Sequence, residues 1–299
     1  MNKNKEKAGY IAIVGKPNVG KSTLLNYILG KKVSITSNKP QTTRQRVLGI
    51  KTLEDAQLIF LDTPGIHSGV NRELNRYMNR VAKASLYDVD AVLFMVEATS
   101  WDDQDELVLK LLKKVKAPVI LVINKIDKVK DKSQLLPLIE KLSALMNFDV
   151  VMPISAKQQQ KVAELEKVVA GFVPEGRHFY PPEQFTDRSD RFIVAEFVRE
   201  KLMRQLGQEL PYQLTVTIEL MEHEDSIVKL SALIWLEKDG HKSIVIGKGG
   251  ERLKKVGTAA RHDIERYFDK KVLLKLWVKV KSGWSNSASM MGNMGFDDE

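Results

Sequence analysis

Residues 15–22 read Gly15-Lys16-Pro17-Asn18-Val19-Gly20-Lys21-Ser22, the spacing G-x-x-x-x-G-K-[ST] of a phosphate-binding loop. The apolar run 10–14 ahead of it reads as a buried strand, and 22–29 behind it as a helix whose first turn carries Ser22 and Thr23. Glycines let backbone N–H groups turn inward onto phosphate oxygens, and the helix N-terminus adds its positive dipole end. Lys21 can reach the outer phosphates, and the Ser22 hydroxyl can hold Mg²⁺. The ligand class is therefore a nucleoside polyphosphate.

A phosphate loop does not choose the base. Asn124-Lys125-Ile126-Asp127 does, at the end of the apolar run 118–123. The Asp127 carboxylate can accept two hydrogen bonds from guanine, from N1–H and the 2-amino group, and adenine offers no such pair. A site built around such a group rejects the base that leaves it unpaired. Asn124 would brace the loops and the Lys125 stem would lie over the base. Asp62-Thr63-Pro64-Gly65 ends another apolar run, 57–61. Asp62 suits a Mg²⁺ shell through water, and the Gly65 N–H suits a γ-phosphate. Ser155-Ala156-Lys157 follows a third run and offers backbone N–H groups to the guanine carbonyl. Between the phosphate loop and Asp62 lies the polar stretch Lys39-Pro40-Gln41-Thr42-Thr43-Arg44. A threonine hydroxyl there could complete the Mg²⁺ shell and order the loop only when a γ-phosphate is present.

These stretches need a frame. Across 8–173, strand patterns at 10–14, 57–62, 90–96, 118–123 and 150–154 alternate with helical ones at 71–86, 103–115, 133–146 and 160–172. That alternation implies an α/β domain with a mixed, mostly parallel sheet covered by helices, with 47–52 as an antiparallel edge strand. Three prolines and a glycine in 173–182 mark a linker, set at 174–189. Residues 190–284 form a smaller α+β unit: a helix at 190–206, strands at 212–222 and 226–237, a glycine turn at 247–250, a helix at 251–267 and a strand at 271–281. Residues 1–7 and 285–299 are expected to be a disordered N-terminus and a flexible tail.

Charge is uneven. The 299-residue chain carries a formal +9. Residues 238–281 hold 13 Lys and Arg against 5 Asp and Glu, whereas 181–237 hold 6 against 11. The basic segment surrounds Ile246-Gly247-Lys248-Gly249-Gly250, a G-x-x-G turn ahead of a helix bearing Arg252, Lys254 and Lys255. Such a turn sets backbone N–H groups and a lysine against a nucleic-acid backbone, beside a groove for about four unstacked nucleotides. The absence of cysteine excludes disulfides, thiolate zinc sites and thiol catalysis. No apolar run is long enough to span a bilayer, and the charged start lacks a signal core, so a cytoplasmic location is expected.

The five nucleotide stretches resemble the translation-factor class of regulatory GTPases and, through Pro17-Asn18, Gln41-Thr42-Thr43-Arg44 and Asp62-Thr63-Pro64-Gly65, the Era-like GTPases within it. The element order after the linker resembles a bacterial-type (type II) KH domain, in which 242–246 would be a short helix. The resemblance covers roughly 8–284. It implies GTP hydrolysis with GTP/GDP and Mg²⁺, with Lys21, Thr43 and Gly65 in catalytic roles and Ser22, Thr43 and Asp62 about the metal. It also implies K⁺ beside Asn18, as in related GTPases. Further, it implies binding to 16S rRNA near its 3′ end, service in small (30S) ribosomal subunit assembly, a monomer, and loose association with the cytoplasmic face of the cell membrane. One position departs from the Ras-type pattern. Ile66 stands where a water-orienting glutamine would be, so slow intrinsic hydrolysis is expected. A GTPase acting on a protein partner or a membrane surface, with the C-terminal unit as a docking module, is the alternative reading.

Overall fold

The computed structural model describes residues 6–66, 72–207 and 210–296, apart from the Lys132 side chain. Residues 1–5 of the expected N-terminal arm, 297–299 of the expected tail, and 67–71, where the second expected helix begins, lie outside the described residues.

The first unit is an α/β layer structure. In chain order it comprises β1 (Lys7–Val14), α1 (Lys21–Leu29), β2 (Val47–Thr52), β3 (Ala56–Asp62), α2 (Glu73–Ala84), β4 (Ala91–Glu97), α3 (Asp103–Leu112), β5 (Val119–Asn124), α4 (Leu135–Ser143), β6 (Val150–Pro153) and α5 (Val162–Ala170). The sheet order is β2-β3-β1-β4-β5-β6. All neighbours are parallel except β2, which pairs antiparallel with β3 at the edge. The central strands are continuous apolar runs because both sheet faces are covered: every residue of β3 and β5 is buried. Each large aliphatic side chain fully removed from water contributes roughly 1.5–3 kcal/mol. α3 starts where it does because Asp102 accepts from the N–H groups of Gln104 and Asp105, and Asp105 answers on the Asp102 N–H, a reciprocal capping box. The ends of β1, β3 and β5 release the loops at 15–20, 63–66 and 125–127, so the three nucleotide stretches leave one edge of one sheet, where open α/β sheets bind ligands.

The second unit comprises α6 (Asp190–Gln205), β7 (Leu214–His223), β8 (Ile227–Leu236), α7 (Gly240–Ile246), α8 (Glu251–Phe268), β9 (Lys271–Val280) and α9 (Ala288–Gly292). Its sheet is β7-β8-β9, with β7 antiparallel and β9 parallel to the central β8. One sheet face is apolar and covered by helices through Val228, Leu230, Ala232, Ile234 and Leu236. The α-β-β-α-α-β order is that of a type II KH domain, with 240–246 helical.

Four expectations change. The stretch 174–187 is not a bare linker but a strap on the first sheet. Buried Gln57 accepts from the N–H groups of Phe179 and Tyr180 and donates to the Tyr180 carbonyl, while the Ile50 N–H reaches the Phe185 carbonyl. Lys7, placed in the disordered arm, belongs to β1 and donates to the Asp55 carbonyl. The tail is ordered through 296: Trp284, Met291, Met294 and Phe296 are buried, and Trp284 stacks on Phe296 at 6.0 Å. Its Ser, Asn and Gly content disguised three apolar anchors, Met291, Met294 and Phe296, beside Trp284 at the end of the C-terminal unit. Lastly, the chain divides with Ile35–Thr42 and the described residues 72–77 grouped with the C-terminal unit rather than with the first.

Candidate functional site

The phosphate loop is held by its own lysine. Lys21 Nζ donates to the Gly15 carbonyl at 2.9 Å and the Lys16 carbonyl at 3.1 Å. Burial pushes its ammonium down to about 8, against the pull of the Asp62 charge. Asn18 takes a left-handed φ of 64°, which few residues other than Gly, Asn and Asp adopt cheaply.

The Lys16 side chain turns away from the loop. Its ammonium is buried against Asp105 at 2.7 Å, Asp102 at 2.9 Å and Ser100 Oγ at 3.2 Å. Burial lowers its pKa, but the bonds to Asp105 and Asp102 outweigh that and hold it raised. Lys16 therefore has only its backbone to offer a phosphate. The sequence reading missed Ser100, Asp102 and Asp105 in this clamp; the visible signal was the D-x-x-D capping spacing at 102–105.

Four oxygens cluster at the end of α1. Ser22 Oγ lies 2.7 Å from Asp62 Oδ2 and 3.0 Å from Thr43 Oγ1, and Ser34 Oγ also donates to Asp62 Oδ2 at 2.7 Å. Burial raises the Asp62 carboxyl pKa, and the hydroxyl bonds and Lys21 oppose the rise. Asp62 Oδ1 is buried with no hydrogen-bond partner among the described residues. An all-oxygen cluster with one orphaned carboxylate oxygen fits a hard cation such as Mg²⁺. Of the two threonines, Thr43 faces this cluster, while the Thr42 hydroxyl is spent locally on the Lys39 carbonyl at 2.7 Å. Ser34 carries no motif and was not foreseen.

Gly65 lies against the phosphate loop: a Cβ there would sit 2.8 Å from the Pro17 backbone nitrogen. Thr63 is buried and its hydroxyl donates to the Ile13 carbonyl at 3.0 Å, so it ties β3 to β1. Ile66 is 2% exposed and packs in the main core with Ile59, Leu61 and Ala82. The side chain that would orient water in a glutamine-bearing relative is here a core residue.

The base side is a braced corner. Asn124 Nδ2 donates to the Val19 carbonyl at 2.7 Å, and its Oδ1 accepts from the Ala156 N–H at 3.0 Å. One buried amide therefore joins the phosphate loop to the 155–157 loop. Asp127 Oδ1 accepts from Ser155 Oγ at 2.5 Å, leaving its partly exposed carboxylate aimed from a fixed position. Lys125 is left-handed at φ 65° and ion-pairs with Glu97. Burial raises Glu97, but the Lys125 bond and charge outweigh it and hold the carboxyl below its usual range. Ile126 is buried, and its N–H reaches the Ile154 carbonyl.

In the second unit the turn 247–250 joins α7 to α8. Gly247 has φ 75°, and a Cβ there would meet Arg252 Cβ at 2.8 Å, so the turn admits no side chain at that point. Lys248, Gly249, Lys254 and Lys255 are exposed, Ile246 and Gly250 partly so, and the Arg252 guanidinium donates back to the Ile244 carbonyl. Arg252 is thus partly a brace for the turn.

A doubly braced guanine corner, a phosphate loop and a hydroxyl–carboxylate cluster on one sheet edge define the guanine-nucleotide-binding GTPase class, here joined to a KH fold. Residues 10–125 match the family described as 50S ribosome-binding GTPase, and 209–285 match the KH domain family. GTPase Era of Coxiella burnetii is 56% identical over 290 residues, covering 97% of this chain and 98% of the relative; that of Pseudomonas fluorescens is 52% identical over 295 residues, covering 99% and 98%. Two solved structures align with a TM-score of 0.94 at 41% identity, each covering 98% of this chain and 100% of the other. One is Era in complex with MgGDPNP and nucleotides 1506–1542 of 16S ribosomal RNA, and the other is a point variant of Aquifex aeolicus Era bound to GDP·AlF4⁻. The chain belongs to the Era family of GTPases.

Proposed function

We propose that this GTPase is a GTP-switched RNA-binding protein that engages 16S rRNA near its 3′ end and assists small (30S) subunit assembly. The observation that carries the RNA part is the exposed Gly247–Gly250 turn ahead of a basic helix, in a fold that matches an Era solved on 16S rRNA. In this reading the 15–22 loop and Thr23 cradle GTP or GDP phosphates, and Asp127 selects guanine. Lys125 flanks the base, with Ile126, Ala156 and Lys157 closing around it through backbone groups. Ser22, Thr43 and Asp62 hold Mg²⁺, which supplies charge neutralisation between the outer phosphates. K⁺ beside Asn18 rests on the family resemblance, as do a monomeric state and a cytoplasmic location with loose membrane association; among the described residues no helix is long and apolar enough to cross a membrane.

Hydrolysis needs an attacking water held in line. Lys21 and the Gly65 N–H orient the terminal phosphate, but Ile66 is locked in the core, so no side chain at that position orients water. Intrinsic turnover is therefore slow and open to acceleration by a supplied charge, an effect worth about 10³–10⁵ in rate for arginine fingers. The switch works through one loop. Thr43 bonds Ser22, while the carbonyl of the preceding Thr42 accepts from Arg199 of α6. Drawing Thr43 onto a Mg²⁺ shell would pull on that second bond.

The test is fluorescence anisotropy with a labelled RNA of the 1506–1542 region, run with GDPNP and with GDP. Unequal affinities support the switch; equal ones exclude it, since a ligand shifts only an equilibrium whose states it binds unequally. Retention of full RNA affinity on replacing Lys248 and Gly249 by Asp would remove the groove assignment.

A further inference from the structure

The KH sheet has a second face that the G-x-x-G site does not use. α8 packs on one face, where Gly257 lies against Leu276. On the other face the register sets three rows across the strands: Thr215, Trp235 and Lys279; Thr217, Leu233 and Trp277; and Leu220, Ser231 and Lys275. Trp277 is 56% exposed, Leu273 44% and Leu220 43%, large apolar side chains left in water. β9 is an edge strand, and residues 271–281 contain four lysines and no acidic residue. Lys275 and Lys279 flank Trp277 at i−2 and i+2 on its own face, each about 6.6 Å along the strand. Beside them Trp235 is fixed: its indole N–H donates to Thr217 Oγ1 at 2.9 Å, and Lys279 Nζ lies 5.8 Å from its ring centroid. The acids that reach this face stand on or after β7: Glu219, 3.5 Å from Lys279; Glu222, opposite Lys229; and Glu224, paired with Lys229. Lys275 stands opposite the neutral Ser231.

We infer that this outer face is a second RNA-binding surface, on which an unpaired nucleotide stacks on Trp277 with its flanking phosphates on Lys275 and Lys279. An exposed indole between two ammonium groups on a flat sheet matches the way single-stranded nucleic acid is held, bases on aromatic rings and backbone on cations. A protein partner would leave both lysines to be desolvated, whereas a polyanion neutralises them. The inference rests on the RNA-binding reading above.

The test uses the full chain with two unstructured RNAs, one of about five nucleotides, enough for the groove, and one of about sixteen. Trp277→Ala should weaken the longer RNA about tenfold and leave the shorter unchanged, with Trp277→Phe retaining most of the affinity. Lys275→Glu with Lys279→Glu should repeat the loss, and carries the test if Trp277→Ala does not fold. Ultraviolet crosslinking of the longer RNA should label the peptide containing Trp277. Unchanged affinity for the longer RNA in both variants overturns the inference. If the Lys248 and Gly249 replacements still abolish binding in that case, the groove reading survives alone. No RNA binding by the parent chain overturns both. Loss of small-subunit association in Trp277→Ala with RNA affinity intact would make the face a protein-docking surface and overturn it too.

Discussion

At the scale of residues, two side chains divide the work of the nucleotide site. Asp127 stands on the Ser155 hydroxyl, and Asn124 holds the loops on both sides. Asp127→Ala should weaken GDP binding by about 10²–10⁴ and cost only about 1 kcal/mol of stability, that of the lost Ser155 bond; titration with a fluorescent GDP analogue reads the first and urea unfolding the second. Lys16 is the opposite case. Removing its ammonium leaves Asp105, which is fully buried, without its cation. Lys16→Ala should cost about 3–5 kcal/mol of unfolding free energy in urea. Lys16→Met with Asp105→Leu should recover most of it. The pH behaviour follows from signs. Lys16 is raised above 10.5, so its contribution is full below that value and fades only as pH climbs through the folded pKa. Asp102 is lowered below 3.8, so its contribution is full above that value and fades as pH falls through the folded pKa. Burial holds Asp105 above 3.8 even beside Lys16, so its charging works against folding as pH rises past that value; Lys16→Ala removes the cation that opposes this, and the variant should lose more stability than the parent between acid and neutral pH. The positions of the 15–22, 62–65 and 124–127 stretches at strand ends were legible in sequence because each is a fixed spacing behind an apolar run. The partners Ser34, Glu97 and Ser100 were not, since each meets its target only after the sheet has brought distant segments together.

At the scale of elements, the strands were legible to within a residue or two, except that β1 begins three residues before the expected strand, because fully buried parallel strands are unbroken apolar runs bounded by loops. α6 was less so. It reads as amphipathic, yet Arg199, Glu200 and Lys201 are buried along with Phe197, Val198 and Leu202. Charged residues that are paired inside a fold look, in sequence, like a solvent face. The 240–246 segment was ambiguous between strand and helix because a short β-branched run carries no period; α7 forms because the chain must turn back into the Gly247 corner. That corner is exacting. Gly247→Ala should put a Cβ 2.8 Å from that of Arg252 at a positive φ, and should lower RNA affinity more than overall stability. Anisotropy and a thermal melt on the same sample separate the two. The tail makes a different prediction. Trp284 is fully buried, so Trp284→Ala should destabilise the C-terminal unit by about 3–5 kcal/mol, measured by urea unfolding. Phe296→Ala, which removes the tail ring stacked on Trp284, should also destabilise the unit, and a frayed tail would give no change there.

At the scale of the whole molecule, the chain joins a GTPase domain to a KH unit rich in basic residues. Charge distribution pointed to the second unit before any fold was known, since the surplus of cations lies in 238–281 rather than along the entire chain. What composition hid was the grouping of Ile35–Thr42 with the C-terminal unit, because a polar loop without a period gives no hint of what it packs on. The central claim is that guanine nucleotide governs contact with the 3′ end of small-subunit rRNA. Crosslinking of the intact chain to cellular RNA, sequenced in parallel for GDPNP and GDP states, tests it most directly. Reads concentrated at that 3′ end in one nucleotide state are the predicted result. Diffuse reads, or equal ones in both states, would contradict it and return the C-terminal unit to the role of a protein- or membrane-docking module.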